Sequence, residues 1–176
     1  MMTKKFYSVS LMLLGTLLLS VQGFGSNNQA GEGEEQTIYS KDSLFSVSIF
    51  KNWEQITEHS EAVDLQAKND VNNSHFIALM EDKEDGVFEE WIEESMGKSL
   101  KFYDDVSVSE GEDVVIDGKP AKQYEVKATA GKGKMILLLT YVNGEDYFAQ
   151  IVAMSVDSKQ SPLDELKAMT NSVKGL

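Results

Sequence analysis

A chain of 176 residues with 41% hydrophobic side chains can form one domain with its own core. It has no Cys, which excludes disulfides, thiolate metal centres and cysteine nucleophiles. The net charge is −13 and all 16 basic residues are Lys; without the planar fork of Arg, an acidic surface is a poor partner for nucleic acid or anionic lipid. From the start, Lys4 and Lys5 precede an apolar run from Val9 to Val21. That run is about 13 residues, short of the ~20 that cross a bilayer. A charged start, an apolar stretch and small residues at Val21 and Gly23 make up the layout of an export signal, with cleavage expected between Gly23 and Phe24. Phe24 stands where a lipoprotein signal carries its lipid-accepting Cys, and Gly25-Ser26-Asn27 fit the flank of such a signal. Three outcomes stay open: secretion, descent from a lipoprotein that lost its anchor, or an uncleaved run kept as a membrane tether. Residues 25–36 are polar, Gly-rich and acidic and are read as a flexible spacer. The expected organisation is an export signal over 1–24, this spacer, and a single domain over 37–176.

Within the domain, Phe45, Val47 and Ile49 alternate with serines and predict a half-buried strand, with Trp53 near the following turn. Val63, Leu65 and Ala67 predict a second strand, and residues 75–81 a third. After an acidic turn from Glu81 to Gly86, apolar or small residues recur at helical spacing from Phe88 through Trp91, Ile92 and Met96 to Leu100 and Tyr103; Glu89, Glu90, Glu93 and Glu94 fall on the other side. Hairpins follow. Asp117-Gly118 and Asn143-Gly144 are two-residue turn signals and Gly131-Lys132-Gly133 is a looser one, giving strands near 112–116, 119–129, 134–142 and 145–156. Ser161-Pro162 starts a closing helix whose apolar face is Leu163, Leu166, Met169, Thr170 and Val173.

With Asn143-Gly144 as the turn, Val142 would face Glu145, Thr140 would face Tyr147 and Ile136 would face Ile151. Both sides of this ribbon are then apolar: Leu138, Ala149 and Ile151 on one, Leu137, Leu139, Tyr141, Phe148, Val152 and Met154 on the other. A sheet with one wet face would alternate instead. The expected fold class is therefore α+β, an α/β/α sandwich with a central, mainly antiparallel sheet of about six to seven strands flanked by helices.

The order of elements resembles the PsbP-like superfamily (the PsbP, Mog and DcrB-type fold). The residues that carry the resemblance are Phe45-Ser46-Val47-Ser48-Ile49 leading to Lys51-Asn52-Trp53, then Asp64-Leu65-Gln66, the strand from Phe76 to Met80, and Ile116-Asp117-Gly118-Lys119-Pro120-Ala121, with the late hairpin and closing helix. Phe50 stands where members commonly have a Pro before the Trp. The resemblance spans about Thr37 to Val173 and implies a non-catalytic docking or accessory module, exported or lipoprotein-like in a bacterium.

The chemistry on offer is sparse. His59 and His75 show no ligand spacing, and no Gly-x-Ser-x-Gly elbow occurs. Reading Glu81 to Ile92 as a calcium loop places Lys83 and Ile92 where oxygen ligands are required, which excludes an EF-hand; irregular Ca²⁺ binding by the acidic turn with Glu89 and Glu90 stays open beside the first reading, a solvated turn whose charges favour the helix N-terminus. Gly131-Lys132-Gly133-Lys134 joins two strands rather than opening a helix, so it reads as a turn and not a phosphate loop. Trp53 and Trp91 could form an aromatic ligand site, but Trp91, on a helix face, reads first as core. No catalytic, cofactor-binding or metal-binding residue is assigned and no cofactor is expected. The expected function is a non-enzymatic extracytoplasmic module, secreted or associated with the cell envelope, that binds a protein partner. A small-ligand or divalent-metal-binding exported protein is the alternative. Nucleic acid is not expected as a partner, and membrane contact only through the N-terminal segment if it is retained.

Overall fold

The computed structural model describes residues 35–57, 63–83, 86–156 and 163–176. Gly23, Phe24, His59, Glu84, Asp85, Ser161 and Pro162 lie outside them, as do the proposed export signal and most of the proposed spacer.

Two antiparallel strands, β1 (Glu35–Tyr39) and β2 (Ser46–Phe50), form a small sheet of their own. The remaining strands are β3 (Glu54–Gln55), β4 (Leu65–Asn69), β5 (Ser74–Asp82), β6 (Asp104–Val108), β7 (Glu112–Ile116), β8 (Lys119–Ala130), β9 (Gly133–Asn143) and β10 (Tyr147–Val156). They make one eight-stranded antiparallel sheet in the order β3-β4-β5-β10-β9-β8-β6, with β7 also paired to β8. Helix α1 (Phe88–Leu100) and helix α2 (Leu163–Asn171) complete the fold. The α+β class therefore holds. The sheet has eight strands rather than six or seven, and helix is scarcer than a full helical layer on each side would need.

Both sides of β9 and β10 are dry, and each is covered differently. On one side Leu138, Val142, Ala149 and Ile151 pack with Leu166, Met169 and Val173 around α2 and with Ile38, Phe45, Val47 and Ile49 of the small sheet. On the other, Leu137, Leu139, Tyr141, Val152 and Met154 pack with Ile92 of α1, and Phe88, Trp91, Met96 and Leu100 border this core. One covering layer is thus a helix plus a β-hairpin. The reason is local: the alternating run Phe45-Val47-Ile49 has one apolar face, and pairing with β1 leaves that face free to join α2.

Three expectations need correction. The ribbon turn is not Asn143-Gly144. Phe148 pairs with Asn143 and Ile151 with Thr140, so Asn143 ends β9 and Glu145-Asp146 makes the turn, closed by the Gly144 N–H donating to the Tyr147 carbonyl at 3.0 Å. The Lys83 ammonium contacts the shifted turn. It donates to Asn143 Oδ1 at 2.9 Å and the Gly144 carbonyl at 3.3 Å, while the Lys83 N–H donates to the Asp146 carbonyl at 2.8 Å. Gly144 is needed for space, because a Cβ there would collide with the Tyr147 ring. Every partner moves by an even number of residues, so each side chain keeps its face. Secondly, Val63 does not join Leu65 and Ala67. It packs in the α1-side core, whereas the other two pack on the α2 side. Thirdly, β1 already starts at Glu35, ahead of Thr37.

The Asp117-Gly118 turn forms as expected, with Ile116 opposite Lys119 and φ of 49° and 77° at the two turn residues. Its carboxylate also fastens the C-terminal segment. Asp117 Oδ2 accepts from the Gly175 N–H at 2.8 Å and the Leu176 N–H at 3.1 Å, and Lys174 Nζ lies 3.4 Å from Oδ1. Lys174 in turn bridges to Ser46 of β2. These partners, led by the Gly175 N–H, hold the Asp117 carboxyl below its ordinary range.

Two predictions follow from this packing. Leu138→Ala and Leu139→Ala should each lower the unfolding free energy by about 2–5 kcal/mol in denaturant titration, because neighbouring residues on opposite faces are both fully buried. A sheet with one wet face would show the loss for only one of them. For Asp117, a carboxyl with a depressed folded pKa stabilises fully above its ordinary value of 3.8, and that stabilisation is lost as pH falls through the lower folded value. Asp117→Asn keeps a residue that tolerates positive φ, should cost roughly 1 kcal/mol at neutral pH, and should flatten the stability-against-pH curve below about pH 4.

Candidate functional site

Two surface features stand out among the described residues. The first is an acidic corner where the β1–β2 connection, the start of β4, the end of β5 and the start of β10 meet. Ser40, Asp42, Leu44, Phe45, Asp64, Met80, Glu81, Asp82 and Tyr147 line a cavity of about 190 Å³ there. Its four carboxylates are not equally available. Asp64 Oδ2 accepts the Met80 N–H at 2.7 Å and Oδ1 sits 3.2 Å from Lys41 Nζ. Glu81 Oε2 accepts the Trp91 indole N–H at 3.0 Å. Ser40 Oγ is also engaged, accepting from the N–H groups of Leu44 and Phe45. Burial, with the Asp117 and Glu145 charges behind it, pushes the Tyr147 phenol up, so it stays a neutral hydroxyl. The corner attracts positive charge but pairs no nucleophile with a base.

The second feature is the open edge of the large sheet formed by β6 and β7, which lie end to end along β8. Val126 and Ala128 belong to the α1-side core and Ala121 to the α2-side core, so the even positions of β8 face α1. Val115 lies opposite Pro120, Asp113 opposite Lys122, and Val108 opposite Val126; all therefore share the α1 side. Here α1 gives no cover: Val115 is 69% exposed and Val108 40%. Between Asp104 and Ile116 there are five acids, Asp104, Asp105, Glu110, Glu112 and Asp113, and no basic residue.

The remaining candidates separate. His75 is mostly buried, its Nδ1 has no partner, and burial pushes its pKa below 6.5 against the opposing pull of Asp70. Among the described residues no three His, Asp or Glu side chains stand close enough to hold a metal ion. Trp53 and Trp91 cannot share a site. Trp53 is buried in the α2-side core with its indole N–H donating to Glu165, while Trp91 packs on the α1 side, 5.0 Å from the Phe148 ring and 5.6 Å from Tyr141 between centroids. Gly131-Lys132 is a plain hairpin turn between β8 and β9, with Ala130 opposite Gly133. Residue patterns did locate a strand at 112–116, but not that it forms an edge. Pro120 marks only where the pairing of β8 with β9 begins, at Ala121 and Val142, and carries no signal about β7.

No model of a known protein family matches the chain, and no curated protein matches it in sequence. Solved structures do match in shape. LpqN of Mycobacterium tuberculosis, described as involved in cell envelope biogenesis, superposes with a TM-score of 0.62 at 13% identity over 82% of this chain and 91% of its own. Cyanobacterial PsbP from Synechocystis gives 0.57 at 10% identity over 85% and 96%. The Ran-binding protein Mog1p of Saccharomyces cerevisiae gives 0.59 at 9% identity over 81% and 95%. At these identities the likeness is one of backbone architecture, and in that architecture the chain has the PsbP-like/Mog1 fold.

Proposed function

We propose that this protein is a non-enzymatic accessory module that works outside the cytoplasm by binding a protein partner. The observation that carries the reading is where the chemistry lies. Both faces of the central strands β9 and β10 are sealed, while exposed Val106, Val108 and Val115 lie among acids on the β6–β7 edge. The cavity at the acidic corner, about 190 Å³, is below the ~300–1,000 Å³ of sites that enclose a drug-sized ligand. The likeness to an envelope-biogenesis protein and to a Ran-binding protein supports a binding role, at the level of fold. The charged and apolar start, with its expected cleavage after Gly23, supports export. No helix among the described residues is long and apolar enough to cross a membrane.

The test uses the full chain expressed in a bacterial envelope, carrying a photoreactive side chain at Asp42, Val71 or Val115. The expected result is a discrete protein adduct from at least one position that excess purified protein competes away. Folded protein without an adduct at any position would overturn the reading. The cation-binding alternative is checked separately. Millimolar Ca²⁺ or Mn²⁺ should leave the melting temperature unchanged, since Asp64 and Glu81 already have partners within the chain.

A further inference from the structure

We infer that the β7 edge, Glu112–Ile116, is a docking strand that takes an extended, lysine- or arginine-bearing segment of a partner protein as an additional strand; this rests on the protein-binding reading above. The hydrogen-bond pattern supplies the first part of the argument. Ile116 and Lys119 flank a two-residue turn and so form a hydrogen-bonded pair. In an antiparallel ladder such pairs alternate, so Ile116, Val114 and Glu112 bond to β8 while Asp113 and Val115 point their N–H and C=O groups outward. Two residues thus offer two donors and two acceptors in strand geometry. Pro120, opposite Val115, falls where no bond to β7 is needed.

The other edges of the described sheets are shorter, irregular or partly bonded already, β2 by Lys174 and Ser172. β3 is two residues long. β6 carries a register shift between Asp104 and Ser107, with Asp105 at a φ of 50°, which twists it away from further pairing. On β1, the Gln55 side chain donates to the Tyr39 carbonyl. β7 keeps an unbroken register with β8 over all five residues.

Charge and shape select the occupant. Glu110, Glu112 and Asp113 are exposed around the strand. Lys122 is 3.3 Å from Asp113, but that aspartate is 86% exposed, and pairs so open to water contribute little. A second copy of this chain would set these acids against their own equivalents in a molecule of net charge −13. A basic segment turns the same acids into attraction, and its apolar residues find Val115 and the exposed Pro120 on the α1 side. Main-chain bonds supply affinity in this mode, and the flanking side chains supply selectivity.

The probe is a synthetic peptide of alternating Lys and Val, with an alternating Glu and Val peptide as control, titrated against the full chain. The Lys peptide should bind and protect the Asp113 and Val115 amides from hydrogen exchange; the Glu peptide should not. Val115→Pro removes an outward N–H without touching the β8 ladder and should weaken binding about tenfold. Asp113→Lys, which keeps every backbone group, should weaken it by a similar factor, and raising salt from about 50 to about 500 mM should do the same to the native chain. The inference is overturned by protection mapping elsewhere, by equal binding of both peptides, or by self-association through β7 in sedimentation. Photo-adducts at Asp42 or Val71 with none at Val115 would also overturn it while leaving the accessory-module reading intact. Absence of any adduct removes both.

Discussion

Strands β9 and β10 have no side left for water. Leu137, Leu138, Leu139 and Tyr141 are consecutive or nearly so, point alternately to opposite faces, and are all fully buried. A strand of that composition forces a layer onto each face of the sheet. It gives α1 its docking surface on one side, and on the other it gathers α2, the β1–β2 hairpin and the C-terminal segment held by Asp117. Losing either layer would expose one row of large apolar side chains along the whole ribbon. The covering elements are therefore consequences of the ribbon, even though α1 and the β1–β2 hairpin precede it in the chain.

Polar groups inside such a sandwich depend on partners within it, and some of those bonds join a helix to the sheet. Gln150 of β10 donates to Ser99 Oγ of α1 at 3.0 Å and to the Tyr141 hydroxyl at 3.3 Å. That fixes the end of α1 over one point of the sheet. On the α2 side Gln123 donates to Thr140 Oγ1 at 2.9 Å, and the Lys167 ammonium bonds Glu125 at 2.6 Å. Leucine-on-leucine packing tolerates small shifts at modest cost, whereas a displaced buried amide loses its partner outright. Of these, the Gln150–Ser99 bond is the buried one that ties a helix to a single point of the sheet.

Features whose cause is local were legible in the residues. The two-sided greasiness of β9 and β10, the apolar stripe from Phe88 to Leu100, and the positive-φ turn at Asp117-Gly118 all rest on neighbours within a few positions. What failed involved distant neighbours. Asn143-Gly144 is a strong turn signal, yet Asn143 stays in the ladder opposite Phe148 and is contacted by Lys83, sixty residues earlier. The alternation through Val63 breaks because the strand begins only at Leu65, and Val63, ahead of it, packs in the other core. The same limit applied to the candidate site. Trp53 and Trp91 look alike in sequence, and only the three-dimensional layering puts a sheet between them. Which strand ends the sheet is decided by long-range pairing, a property of no single segment.

A sealed sandwich also constrains where evolution can place a binding function on this fold. Changes on either face of the central strands disturb a core, so new chemistry is cheapest at the rim. Acids on an edge strand have two physical uses, to repel other edges and to attract basic partners. The two halves of this rim differ in a way that separates those uses. Next to Asp104 and Asp105 the ladder is bulged and the backbone strained, which is how an edge is closed. Next to Glu112 and Asp113 the ladder is regular and Val115 stands open beside them. Repulsion accounts for the acids but not for the exposed Val115, which stands beside a regular ladder.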